Sequence, residues 1–179
     1  MKRKILIAAF AALLVVSPML YTALMAQSSG DKHAFGFNSA SISGFPTGSV
    51  RLTGGGAYNT ASHFVKSAGG FRCITDVNQL QLNGCKAGEG VRWDTEALLD
   101  STNFKCTGAA GETLKHISTS ANTAVLTADF YRASDGNDES FTANMIVSTE
   151  DIAPDIQGVQ NVWIQGVGCG SAIVSFSNN

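Results

Sequence analysis

The sequence predicts a mostly β protein: one antiparallel β-barrel or β-sandwich of about eight to ten strands, with one short helix near 94–101. Three observations predict this. Apolar residues alternate in short runs bounded by turn residues. Glycine is abundant and proline scarce, at 19 and 3 of 179 residues, and there are few Lys or Glu to favour long helices. Residues 124–148 read as a β-hairpin almost pair by pair.

Taken in order, the chain begins with an export pattern. Met1, Lys2, Arg3 and Lys4 are a basic start, residues 5–16 are apolar, and Pro18 with the small residues to Ala26 offers a cleavage zone. A signal peptide of residues 1–26 follows, although Leu24 is large for its place before the cut. The alternative is an uncleaved anchor, since residues 5–25 just reach a membrane span. Ser17, Pro18 and Thr22 interrupt the second half of that stretch. No cysteine follows the cut, which argues against a lipid anchor. Residues 27–33 read as a disordered lead-in and 34–179 as a single β domain with a core of its own.

Within that domain, Phe35 and Phe37 fall on one face of a half-buried strand at 34–40. Val50 and Leu52 alternate before the run Gly54, Gly55 and Gly56. Glycines in a β region mark a bulge or a close backbone approach. A phosphate loop would need a following Lys-Ser/Thr and a helix, and neither pattern is present. Residues 63–77 read as a hairpin or bent strand with Phe64, Phe71, Cys73 and Thr75 as inner-face candidates. Asp94 then resembles a helix N-cap, flanked by Trp93 and Leu98 at hydrophobic-staple spacing, so a short helix is expected over 95–100. Extended structure resumes at 104–107, turns at 108–111, and returns at 114–118.

The hairpin turns on Asp135 and Gly136, a pair that tolerates the φ > 0 of a type I′ turn. This register sets Phe130 opposite Phe141, Ala128 opposite Ala143, Leu126 opposite Met145 and Ala124 opposite Val147. One face is therefore wholly apolar. The other pairs Tyr131 with Ser140, Asp129 with Thr142, Thr127 with Asn144 and Val125 with Ile146. Arg132 and Glu139 near the turn would add a surface ion pair worth at most about 1 kcal/mol. After a connector at 151–158, Val162 and Ile164 (with Gly166) alternate with Asn161, Trp163, Gln165 and Val167. Ala172, Val174 and Phe176 share a face of the last strand.

Four cysteines in an exported chain read as two disulfides among Cys73, Cys85, Cys106 and Cys169. Three pairings are open and the sequence does not choose among them; the one it leans to is Cys85–Cys106, bracketing the short helix, with Cys73–Cys169 tying an early strand to a late turn. No CxxC and no Cys/His cluster points to a metal or redox centre.

Formal charge near −2, with no basic run, argues against a nucleic-acid partner. His33, His63 and His116 lack metal-site spacing, no GxSxG elbow exists, and DGNDE at 135–139 is explained by the turn rather than by calcium. No cofactor is implied. The most suggestive polar set is the second hairpin face: Thr127, Asp129, Tyr131, Thr142 and Asn144. It is either a solvated sheet face or the lining of a ligand cavity, with Asp129 its central carboxylate and Tyr131 beside it.

The blocks GGFRC (69–73), KAGEGVRWD (86–94), FKC (104–106), ADFYRASDG (128–136), SFTA (140–143) and QNVWIQGVGCG (160–170) resemble those of a group of uncharacterised exported bacterial proteins. The resemblance runs from about Phe35 to the C-terminus. It implies bacterial export and a single domain, and it carries no catalytic residues over.

The expectation is a periplasmic or extracellular β domain, with no stable membrane span once the signal is removed. It would act as a non-catalytic binding or cell-envelope interaction protein. The alternative is a small β-barrel enzyme of isomerase or cyclase type, or a small-ligand carrier, using a cavity lined by the Asp129/Tyr131 face. An envelope component would show an exposed aromatic patch including Trp163.

Overall fold

Alternation becomes strand along most of the chain in the computed structural model, which describes residues 31–178 apart from 45–47, 91 and 133–138. The expected signal peptide, the start of the lead-in and the Asp135-Gly136 turn lie outside the described residues. The strands are β1 (Lys32–Gly44), β2 (Ser49–Asn59), β3 (Phe64–Thr75), β4 (Arg92–Leu98), β5 (Ser101–Phe104), β6 (Lys115–Ser118), β7 (Thr123–Arg132), β8 (Glu139–Ser148), β9 (Val162–Ile164) and β10 (Gly168–Asn178). Eight of them close an antiparallel barrel in the order β1-β10-β9-β8-β7-β4-β3-β2, and β5-β6 form a separate two-stranded sheet. Closure pairs the edges that an open sheet would leave exposed.

The hairpin β7–β8 has the register its sequence predicts, from Thr123↔Ser148 to Arg132↔Glu139. Its apolar face looks into the barrel: Leu126, Ala128 and Phe130, with Ala143 and Met145, are fully or almost fully buried in the main core. Phe130 and Phe141 stack at 5.8 Å, and Phe71 meets Phe130 edge-on at 5.2 Å. Arg132 folds over the rim, its Nε 3.9 Å from a Glu89 carboxylate oxygen and its guanidinium 5.9 Å from the Phe141 ring. The Glu139 side chain lies outside the described residues.

The glycine run is a close approach, and at Gly54 it is Trp93 that approaches. Its indole is fully buried and lies across β3 and β2, donating from Nε1 to the Thr53 carbonyl at 3.0 Å. A Cβ on Gly54 would stand 2.3 Å from the indole, and one on Gly69 would stand 1.9 Å from the Thr53 oxygen. Gly54 and Gly69 are cross-strand partners, so together they make the flat floor on which the ring rests.

The helix expected near 94–101 is absent; those residues are β4 and the start of β5. Trp93 and Leu98 do share an apolar environment, but through a bulge. Pairing with β7 slips by one residue between Thr95 and Ala97, and that extra residue lets positions five apart both face inward. The same spacing imitates a hydrophobic staple.

The disulfides also differ from expectation: Cys73 pairs with Cys85, and Cys106 with Cys169. Without a helix, nothing brings Cys85 to Cys106. Instead the loop after β3 turns back on its own strand: Cys73 N–H donates to the Glu89 carbonyl, and Gly88 N–H to the Cys73 carbonyl, each at 2.8 Å. Val77, Leu82 and Cys85 of this loop are fully buried and seal one end of the barrel. At the other end, the Tyr58 hydroxyl donates to the Ser120 carbonyl, and His33 packs on the Tyr58 ring at 5.0 Å.

Phe71 and Cys73 are interior as expected, whereas Phe64, at the outer start of β3, is 54 % exposed and Thr75 is also exposed. Trp163 belongs to no exposed patch. With Val125, Ile146, Phe104, Ile152 and the Cys106–Cys169 bridge it forms a second core outside the barrel wall, and its Nε1 donates to the Lys105 carbonyl at 2.9 Å. The segment 99–122 covers this second core. Val167, expected beside Trp163, instead joins the main core.

Candidate functional site

Because the barrel fills with apolar side chains, its polar residues are left on the outer wall. The five residues Thr127, Asp129, Tyr131, Thr142 and Asn144 all lie there, four half-buried and Thr142 exposed. A calyx lined by this face is therefore ruled out: the opposite face of the same hairpin occupies the interior. Period-two alternation shows which residues share a face, but the side facing the core is decided by the strands that close the ring.

Register collects these residues into a band. Ala68, Asp94, Asp129 and Thr142 are successive partners across β3, β4, β7 and β8. Gly55 continues the row beyond Ala68. Asp94 and Asp129 thus stand directly opposite one another, where like charges oppose sheet pairing by a few tenths of a kcal/mol or more. Two residues along, on the same face, Arg92 is the partner of Tyr131, its guanidinium carbon 4.6 Å from the ring centroid. Desolvation raises the Tyr131 phenol above its ordinary pKa, helped by the charge of Asp129, a hydrogen bond to it, and the charge of Asp94; Arg92 acts in the opposite direction. Tyr131 is thereby held as a neutral donor beside Asp129.

Towards the lower end of the hairpin, Thr127 Oγ1 donates to Asn144 Oδ1 at 3.1 Å. The Asn144 N–H donates to Gln165 Oε1, also at 3.1 Å. These two side chains are committed to each other, and the Asn144 backbone is tied to β9's flank, so they brace the band rather than extend it. Of the five expected residues, Asp129, Tyr131 and Thr142 form its centre.

The band runs into a groove of about 420 Å³ where β3 and β4 part. These strands pair only at Ala68↔Asp94 and Gly69↔Trp93. At the next step a side chain replaces the ladder: Thr95 Oγ1 accepts from the Ser67 N–H at 3.0 Å and donates to the Ser67 carbonyl at 3.1 Å. The groove left beside this seam is lined by Gly55, Val65, Lys66, Ala68, Asp94 and Thr95 among others.

Sequence reading missed Arg92, Asp94 and Lys66. Reading 92–98 as a strand would have turned Arg92 and Asp94 outward together. Their meeting with Asp129 and Tyr131 depends on β4 pairing with β7 across the whole 99–122 excursion, which no local pattern encodes. No group of three or more metal-ligating side chains occurs among the described residues. No protein-family model, curated protein or solved structure matches the chain.

Proposed function

We propose that this protein is an exported binding protein that engages its ligand or envelope partner on the outer wall of the barrel, at the band Arg92, Asp94, Asp129, Tyr131 and Thr142, without covalent chemistry. One observation carries the reading: charged, aromatic and hydroxyl groups gather across the three strands β4, β7 and β8 and open into a groove beside β3, while the interior is filled. Ligand sites are concave with a few convergent polar groups, and this is where the described wall offers that combination. Two disulfides fit an oxidising compartment, which supports export, with residues 1–26 as the signal that directs it. The wall carries Arg51, Lys66, Arg72 and Arg92 where a membrane-spanning barrel presents an apolar band.

The test is a ligand screen read by amide chemical shifts on isotopically labelled protein, with Asp129→Ala as the control. A binder should shift amides in β4, β7 and β8, and lose most of its affinity in Asp129→Ala while the melting temperature stays put. Binding that is indifferent to Asp129, or shifts that map elsewhere, would sink the reading.

A further inference from the structure

Resting on that reading, we infer that the groove between β3 and β4 takes a small zwitterion: its ammonium on Asp94, its anionic group on Lys66, and its body over Gly55 and Ala68. Three features of the groove lead there.

The first is charge. Lys66 and Asp94 both line the groove, and both lie on the outward face of their strands. Lys66 stands two positions along β3 from Ala68, the partner of Asp94, so the two are diagonal neighbours across the seam. Yet among the described residues neither forms an ion pair or hydrogen bond with the other, although Lys–carboxylate pairs elsewhere among them close to 3.0 Å or less. Opposite charges that border one cleft without meeting favour a guest carrying both signs. A purely cationic or purely anionic guest would leave one of them opposed by nothing.

The second is shape. Gly55 and Ala68 are cross-strand partners on the floor and contribute at most a methyl group each. The volume, about 420 Å³, suits a dipeptide-sized molecule.

The third is polarity of the walls. Thr95 is fully engaged with Ser67, whose side chain is buried. These hydroxyls hold the seam at fixed width and leave recognition to the two charges. Asp129, directly opposite Asp94, strengthens the negative end and sets the polarity of the guest along the groove.

Two sources offer this chemistry, the free ends of a short peptide and a phosphoethanolamine headgroup, and titration separates them. The probes are alanylalanine, its N-acetylated form, its C-amidated form and phosphoethanolamine, added to the labelled full-length protein. Alanylalanine or phosphoethanolamine should shift amides at 65–68 and 94–95, and the stronger of the two identifies the source. Each blocked dipeptide should bind about tenfold more weakly than the free one, the loss of one charge-assisted contact. Asp94→Asn should erase the discrimination against N-acetylation alone, and Lys66→Met the discrimination against C-amidation alone. Equal binding of free and blocked dipeptides, or no shift with any probe, overturns the proposal. If the probes fail but another ligand still depends on Asp129, only the zwitterion assignment falls. If no Asp129-dependent ligand exists either, the broader reading falls with it.

Discussion

Glu112 sits in a pocket of donors that its own loop supplies. One carboxylate oxygen accepts from the Cys106 N–H at 2.6 Å and from Lys115 at 3.0 Å; the other accepts from Thr107 and Gly108 N–H groups at 2.8 Å. Burial opposes its charge, but these bonds, with the Thr107 hydroxyl, outweigh it and hold the carboxyl at about 2 against an ordinary 4.5. The folded state therefore binds fewer protons than the unfolded chain between those values. The stabilisation is complete above pH 4.5 and is lost as pH falls from 4.5 towards 2, with an upper bound of about 3 kcal/mol. Urea unfolding should show Glu112→Gln less stable than the parent by up to that amount near neutrality, and the two converging in acid. A gap that does not narrow in acid would rule the explanation out. The importance of Glu112 is not legible in the sequence, because its partners are backbone groups that point at it only once the loop is folded. The glycines at 54–56 are half legible: a close approach is the natural reading of them, but not that Trp93, some 40 positions away, makes it at Gly54 while the neighbouring strands β1 and β3 make it at Gly55 and Gly56.

At the scale of elements, the register of the hairpin β7–β8 was legible because turn chemistry and hydrophobic alternation specify it independently. β4 was not, since a single bulge converts strand alternation into a spacing that a helix would also use. The disulfides were illegible for a related reason: pairing depends on which loop folds over which wall. The two bridges do different work. Cys73–Cys85 closes a short loop over the barrel mouth, whereas Cys106–Cys169 spans 63 residues and fastens the β5–β6 excursion over the second core. Replacing both Cys106 and Cys169 by Ser should cost about 2–4 kcal/mol. Hydrogen exchange should then rise across 101–118 while the inner strands β7 and β8 stay protected. Equal loss of protection in both regions would show that excursion and barrel form one cooperative unit.

For the whole molecule, the predicted antiparallel β class holds and resolves to a barrel, with an aromatic interior and a charged, small-residue wall. Composition and alternation contain that much. Which hairpin face points inward is a property of closure, and closure is made by the pairing of β1 with β10, at opposite ends of the domain. Contacts so distant in sequence also imply slow folding relative to helical domains of this size.

That same pairing sets His33 opposite Asn178, so the first and last strands are neighbours at one pole. A ring of hydrogen bonds has no natural first strand; the order of the gene only says where the ring is cut. A circular permutant should exploit this, with a short flexible linker joining the end of β10 to the start of β1 and new ends opened between Ala61 and Ser62, both exposed in the β2–β3 turn. It should reproduce the parent's amide spectrum across β4, β7 and β8, including the Asp129 band, and a spectrum lacking those signals would refute it. The Asp129 band would then be shown to belong to the ring itself, independent of the direction from which the chain enters it.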